Sequence, residues 1–177
     1  MNNKIIIRPI KPDDAEQYVR LHNLVWRDAY NHIFPKQVFD EREERTQDKI
    51  NQFASWIESN TQQINYAAEI DGVMVGFMNA TILSNYEHFK NLGFAELMGL
   101  YIHPDYQGQG IGGRFKQIFI DWAKENGAKK FVIGVLKDNL KARKVYEKWG
   151  GKLDEYTQPF VKLGVEYDEV FYTFDLD

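Results

Sequence analysis

The chain has no cysteine in 177 residues. That excludes disulfides, thiolate metal sites and a cysteine nucleophile together. Long apolar runs are missing too. Nothing approaches the roughly 20 residues that cross a bilayer, so no membrane partner is expected. The opening Met1-Asn2-Asn3-Lys4-Ile5-Ile6-Ile7-Arg8 holds too short an apolar stretch for a signal peptide. A cytoplasmic protein is the expectation. His22, His32, His88 and His103 lack metal-ligand spacing, so no metal is expected. There are no repeats, low-complexity tracts or linkers.

What is present suits one folded domain over residues 1–177. Apolar residues make up 44% and aromatics 15%, enough to build a sizeable core. The net charge of -4 hides an uneven spread. Residues 106–152 carry eleven Lys/Arg against four Asp/Glu, or +7; the remainder holds 11 basic and 22 acidic residues, or -11. A basic stretch in an acidic chain points to a local polyanion, either nucleic acid or a phosphorylated cofactor. Two solvated helix faces would look the same. No nucleic-acid motif is present and the acidic remainder opposes such a partner, so no nucleic acid is expected.

The pattern predicts a strand at Ile5–Arg8, then a helix opened by Lys11-Pro12-Asp13-Asp14. Tyr18, His22, Val25, Trp26 and Ala29 follow at helical spacing. A second helical region follows Pro35. Ile64–Ile70 and Val73–Leu83 form a hairpin on Asp71-Gly72. Ser84–Gly93 reads as a loop, Phe94–Ile102 as a strand, Gly110–Glu125 as a helix, Lys130–Leu136 as a strand and Asp138–Trp149 as a helix. Strands at Lys152–Glu155 and Glu166–Asp175, separated by a loop, end the chain. The order β-α-α-β-β-β-α-β-α-β-β is a mixed α/β domain.

Gln107-Gly108-Gln109-Gly110-Ile111-Gly112-Gly113-Arg114 is the most informative stretch. Glycines let the backbone pass close to a bulky anion and adopt positive φ. The free N–H groups of a helix start point at that anion. Gly108, Gly110 and Gly113 also satisfy G-x-G-x-x-G, but the dinucleotide reading fails on context. His103–Gln107 separates the glycines from the strand, and Phe131, Val132 and Ile133 occupy the zone where a ribose-binding acid belongs. No Gly-Lys-Ser/Thr follows, so a P-loop is absent.

Gln107–Gly112 resembles the Gln/Arg-x-x-Gly-x-Gly/Ala signature of the GCN5-related N-acetyltransferase (GNAT) superfamily. Leu100–Tyr106 is similar to the strand and lead-in of that family. Asn139, Ala142, Tyr146 and Gly150 match a second block downstream. The resemblance implies a mostly antiparallel central sheet splayed at the cofactor site. It implies an acceptor-side half at 1–93, an acetyl-CoA-binding core at 94–151 and C-terminal strands at 152–177. It also implies acetyl-CoA as co-substrate. The backbone of Leu100, Tyr101 and Ile102 would pair with the pantetheine arm. Gln107, Gly108, Gln109, Gly110, Ile111, Gly112 and Gly113 would take the pyrophosphate. Asn139 would contact the pantetheine, and Tyr146 would lie near the thioester sulfur.

Acetyl transfer needs a neutral amine, a stabilised oxyanion and a protonated leaving thiolate. Glu96 interrupts the apolar run Phe94-Ala95-Glu96-Leu97-Met98. A carboxylate there costs free energy without a partner or a task, which makes it the candidate base, with Glu69 in reserve. Tyr146 is the candidate acid. Trp26, Tyr30 and Glu166 are candidate acceptor-binding residues, because aromatic and acidic linings suit a cationic amine. The expected activity is N-acetylation of a primary amine of a small molecule or peptide, by direct attack in a ternary complex. The alternative is a non-catalytic acyl-CoA-binding sensor or partner module on the same fold. The oligomeric state is open, and a homodimer is allowed.

Overall fold

An Asp71-Gly72 turn, with φ of +50° and +81°, sets the register of the first hairpin. These are the positive values that a two-residue turn between right-twisted strands requires. It joins β2 (Gln63–Ile70) to β3 (Val73–Thr81), and β3 is buried along almost its whole length. The computed structural model describes residues 4–59 and 62–176. Its contacts group into two compact units: Met1–Ala80 with Gly99–Phe119, and Thr81–Met98 with Ile120–Asp177.

In the first unit, β1 (Ile6–Pro9) runs antiparallel to β2. The strand order continues through β3 to the second half of β4 (Ala95–Ile102). Three helices pack here: α1 (Ala15–Tyr30), α2 (Lys36–Glu44) and α3 (Thr46–Ser59). Tyr18, Val19, Leu21 and Val25 of α1 bury one stripe with Phe53, Met74 and Phe77, the burial that stabilises an amphipathic helix.

The second helical region is two helices rather than one. Asn23 of α1 explains the break. Its Nδ2 donates to Thr46 Oγ1 at 2.8 Å and to the Arg42 carbonyl at 3.4 Å, so side-chain bonds take over where the backbone ladder is interrupted. Arg8 fixes the first turn. Its guanidinium grips both Asp14 oxygens at 2.7 and 2.8 Å, and its Nε donates to Glu69 at 2.8 Å. Glu69, the reserve base, is therefore engaged in a structural ion pair.

In the second unit the order is β4, β5 (Lys130–Leu136), β7 (Val165–Asp175), β6 (Lys152–Lys162). β4 and β5 are parallel, paired at Ala95–Phe131 and Glu96–Val132 only. β5–β7 and β6–β7 are antiparallel. Among pairings of known direction the sheet is thus mostly antiparallel, as expected.

Two expectations fail in this unit. Ser84–Gly93 contains a short helix, α4 (Glu87–Asn91), whose Phe89 is fully buried. Five residues are too few to display a periodicity. The loop expected between the last strands does not exist: β6 runs on to Lys162 and turns tightly at Leu163-Gly164, with φ of +50° and +74°. Leucine rarely adopts positive φ, so this second hairpin lacks the usual turn signature.

β6 is the edge strand of this unit, and Pro159 sits in its middle opposite Asp168. The Asp168 carbonyl accepts from Lys137 N at 2.8 Å, so its backbone groups point toward β5. In an antiparallel ladder those of Pro159 then point to the open edge, where the missing N–H costs no internal bond.

Of the remaining helices, α5 (Ile111–Glu125) follows the glycine loop and α6 (Leu140–Lys148) follows β5. No helix among the described residues is long and apolar enough to cross a membrane.

Candidate functional site

The glycine loop lies in the first unit, between a 3-10 turn at Pro104–Tyr106 and α5. Gly108 and Gly110 hold φ of +77° and +81°, values that cost residues with a Cβ about 1 kcal/mol or more. A Cβ built on Gly108, Gly110 or Gly113 would meet no atom within 4 Å, so open space lies beside all three. The first helical bond after the loop runs from Arg114 N to Gly110 O, 3.2 Å. The N–H groups of Ile111, Gly112 and Gly113 come before it, the position where a helix has donors to spare. Gln107 Nε2 donates to the Ile102 carbonyl at 3.1 Å and ties the loop to the end of β4. Gln109 is exposed. The Arg114 guanidinium rests on the Ile5 carbonyl at 3.2 Å, which holds a cation at the first turn of α5.

The strand leading to this loop carries Leu100, Tyr101 and Ile102, all half-buried. Tyr101 closes an aromatic cluster built from α1. Its hydroxyl is 3.2 Å from that of Tyr30, and its ring lies beside His22 and Phe77. Trp26 packs edge-on to Tyr30 and stacks on Phe34. Burial, reinforced by Arg42 and Lys49, pulls the His22 imidazole down to about 3, so it is neutral at physiological pH. The expected acceptor residues Trp26 and Tyr30 are therefore together. Their charged neighbour is a cation, not an acid: the Arg42 guanidinium lies 4.2 Å above the Trp26 ring. Nothing in Glu41-Arg42-Glu43-Glu44-Arg45 distinguishes Arg42 from a solvated charge run.

The second unit holds the acids. Glu96 is 5% exposed, and one oxygen, Oε2, accepts from Asn85 N at 2.7 Å and Ser84 Oγ at 3.0 Å. Oε1 makes no hydrogen bond within the described residues. Burial pushes the Glu96 carboxyl above the usual range. The Asn85 and Ser84 donors oppose that, and the Glu169 charge adds to it. Glu169, a residue that sequence reasoning passed over, is 7% exposed. It accepts from Tyr86 Oη at 2.8 Å and Gln158 Nε2 at 3.0 Å. Burial raises its carboxyl too. Gly134 makes this possible. A Cβ there would collide with the Tyr86 hydroxyl and stand 3.0 Å from Glu169 Oε1. One faint signal was available in the sequence: Glu169 alternates with Phe171 and Thr173, so an acid heads an otherwise packed strand face.

On α6, Asn139 is buried and its Oδ1 accepts from Ala142 N at 3.2 Å, a helix cap that leaves its amide N–H groups for a ligand. Tyr146 is half-buried between the rings of Trp149 and Tyr172, each 5.9 Å away. Glu166 is exposed, two residues past the Leu163-Gly164 turn.

Known proteins are similar to this chain in sequence and fold. An uncharacterized N-acetyltransferase of Archaeoglobus fulgidus is 27% identical over 140 residues, covering 79% of this chain and 88% of that protein. The L-methionine sulfoximine/L-methionine sulfone acetyltransferase of Salmonella typhimurium is 27% identical over 138 residues, covering 76% and 78%. A PaiA N-acetyltransferase of Thermoplasma acidophilum, solved in complex with coenzyme A, shares the fold with a TM-score of 0.74 at 20% identity, covering 97% and 99%. Residues 19–151, three quarters of the sequence and spanning both the aromatic cluster and the glycine loop, match the model of the Acetyltransferase (GNAT) family, and the chain belongs to that family.

Proposed function

We propose that the protein is an acetyl-CoA-dependent N-acetyltransferase that acts on the primary amine of a small molecule or peptide by direct attack in a ternary complex. The observation that carries this is the loop Gln107–Gly110. Two positive-φ glycines, open space beside them and the unspent N–H groups of a helix start fit a diphosphate. Coenzyme A bound to the Thermoplasma relative, and the acetylation of L-methionine sulfoximine and L-methionine sulfone by the Salmonella relative, support the donor and a small acceptor.

Acetyl-CoA would supply the acetyl group, with its thiolate as the leaving group. The amides of Gly108–Gly113 hold the diphosphate, while the Gln107 N–H is already given to the Pro104 carbonyl at 3.3 Å. Leu100 offers strand-edge backbone groups to the pantetheine arm; the Tyr101 carbonyl is turned toward Gly76 of β3, and the Ile102 carbonyl is already taken by Gln107. Asn139 offers its amide N–H groups. An acceptor ammonium of pKa near ~10.4 must shed a proton before attack. Glu96 Oε1 is the acceptor for that proton, with an affinity raised by burial. The Tyr146 phenol then donates a proton to the departing sulfur.

Calorimetry with acetyl-CoA, paired with thiol release across an amine panel, tests the assignment. We expect binding, turnover of at least one amine, and loss of binding in Gly110→Asp, which puts a carboxylate and a strained Cβ into the cradle. Tight binding with no turnover on any amine means a sensor instead. Full affinity in Gly110→Asp overturns the cradle.

A further inference from the structure

We propose that Arg42 is the anchor for a carboxylate on the acceptor, so that the preferred amines are amino acids rather than polyamines or plain alkylamines. This rests on the acetyltransferase reading above.

The first observation is a cation without an anion. Arg42 is half-buried, no carboxylate lies within ion-pair distance of it among the described residues, and no acceptor there takes any of its N–H groups. Its Nε is fully buried and unpaired. A guanidinium has five donors in a rigid fork, and leaving them idle under partial burial is costly. The same unit shows what a structural arginine does: Arg8 closes its fork on Asp14 and donates to Glu69. Anchoring the end of α2 does not account for the difference, since an exposed side chain serves a helix C-terminus equally well.

The second observation is what surrounds that cation. One face of Trp26 is covered by the guanidinium at 4.2 Å and the ring also stacks on Phe34, so little of it is left to receive an acceptor ammonium. The hydroxyls of Tyr30 and Tyr101 form a pair at 3.2 Å, and both phenols couple electrostatically to the Arg42 charge. Tyr101 belongs to β4, the strand that runs into the glycine loop. A planar carboxylate fits the fork in a bidentate way, with a tyrosine hydroxyl as a further donor. A diamine would meet an uncompensated positive charge.

The test compares L-leucine, L-methionine, L-phenylalanine and L-glutamine with their C-terminal amides and with spermidine. Thiol release is measured on the full chain. Wild type should prefer the acids over the amides by about tenfold or more. Arg42→Met keeps the apolar stem over Trp26 and removes the fork. It should raise KM for the acids by about 10- to 100-fold, the usual range for a lost charged hydrogen bond. Its amide KM and its acetyl-CoA affinity should stay within about twofold of wild type. Arg42→Lys should fall between.

Calorimetry with the matching N-acetyl-L-amino acids and coenzyme A gives a readout independent of turnover. Wild type should bind them and Arg42→Met should not. If no amine is turned over but this pattern holds, the anchor stands and the acetyltransferase reading falls. Preference for amides or spermidine overturns the anchor. So does equal loss on acids and amides, weakened acetyl-CoA binding in Arg42→Met, or absence of heat with every N-acetyl amino acid in wild type.

Discussion

The two units bury carboxylates in opposite ways. In the first, Asp14 is 6% exposed and shares both oxygens with the Arg8 guanidinium, which holds its carboxyl below the usual range. In the second, Glu96 and Glu169 are equally buried, yet their partners are neutral: a serine, a backbone amide, a tyrosine and a glutamine. Both are pushed up. Compensation by a full charge stabilises an ionised acid and fixes architecture; compensation by dipoles leaves proton affinity high and the acid ready to exchange. The contrast separates a scaffold from a candidate for chemistry, and it can be broken.

The largest effect is expected for Glu96→Gln. Removing the base should lower kcat by about 10²- to 10⁴-fold and flatten the acidic limb of the pH–rate profile, with acetyl-CoA affinity unchanged by calorimetry. A full rate would return Glu96 to a structural role as the tie for Ser84 and Asn85. Next is Asp14→Ala, which strands the Arg8 fork and should destabilise by about 3 kcal/mol at pH 7.

The pH dependence should differ in sign. A depressed carboxyl contributes stability above its ordinary value of 3.8 and loses it as pH falls through the folded value. The deficit of Asp14→Ala therefore shrinks in acid. Glu96 and Glu169, raised above 4.5, cost stability as pH rises through their folded values. Glu96→Gln should then gain on wild type as pH rises above 4.5, read from urea midpoints. Gly134→Val should cost about 2 kcal/mol by forcing Tyr86 away from Glu169. Tyr86→Phe, which leaves Glu169 one hydrogen bond short, should cost about 1 kcal/mol.

What could be read from the sequence follows the range of the interactions. The β2–β3 hairpin, the glycine loop and the buried strand Lys130–Leu136 are written in neighbouring residues. Glu96 was legible because an acid inside an apolar run is a local anomaly. Glu169 was not, because what buries it comes from Gly134 and Tyr86, 35 and 83 positions away. Arg42 sits in a charge run that looks solvated, and its isolation depends on Trp26, 16 residues earlier. The Leu163-Gly164 hairpin hid behind an unusual turn residue, with long-range pairing overriding local preference. The acidic acceptor lining followed from residue types alone. Glu166 is exposed on β7 near the turn, and the cluster around Trp26 contributes a cation.

Pro159 bears on the behaviour of many copies at once. An eleven-residue outer strand carrying exposed Leu153 and Val161 is a template on which another molecule could zip and extend a ribbon. At the centre of that template the approaching chain meets a pyrrolidine ring instead of a donor. Strand addition along β6 is blocked at its midpoint.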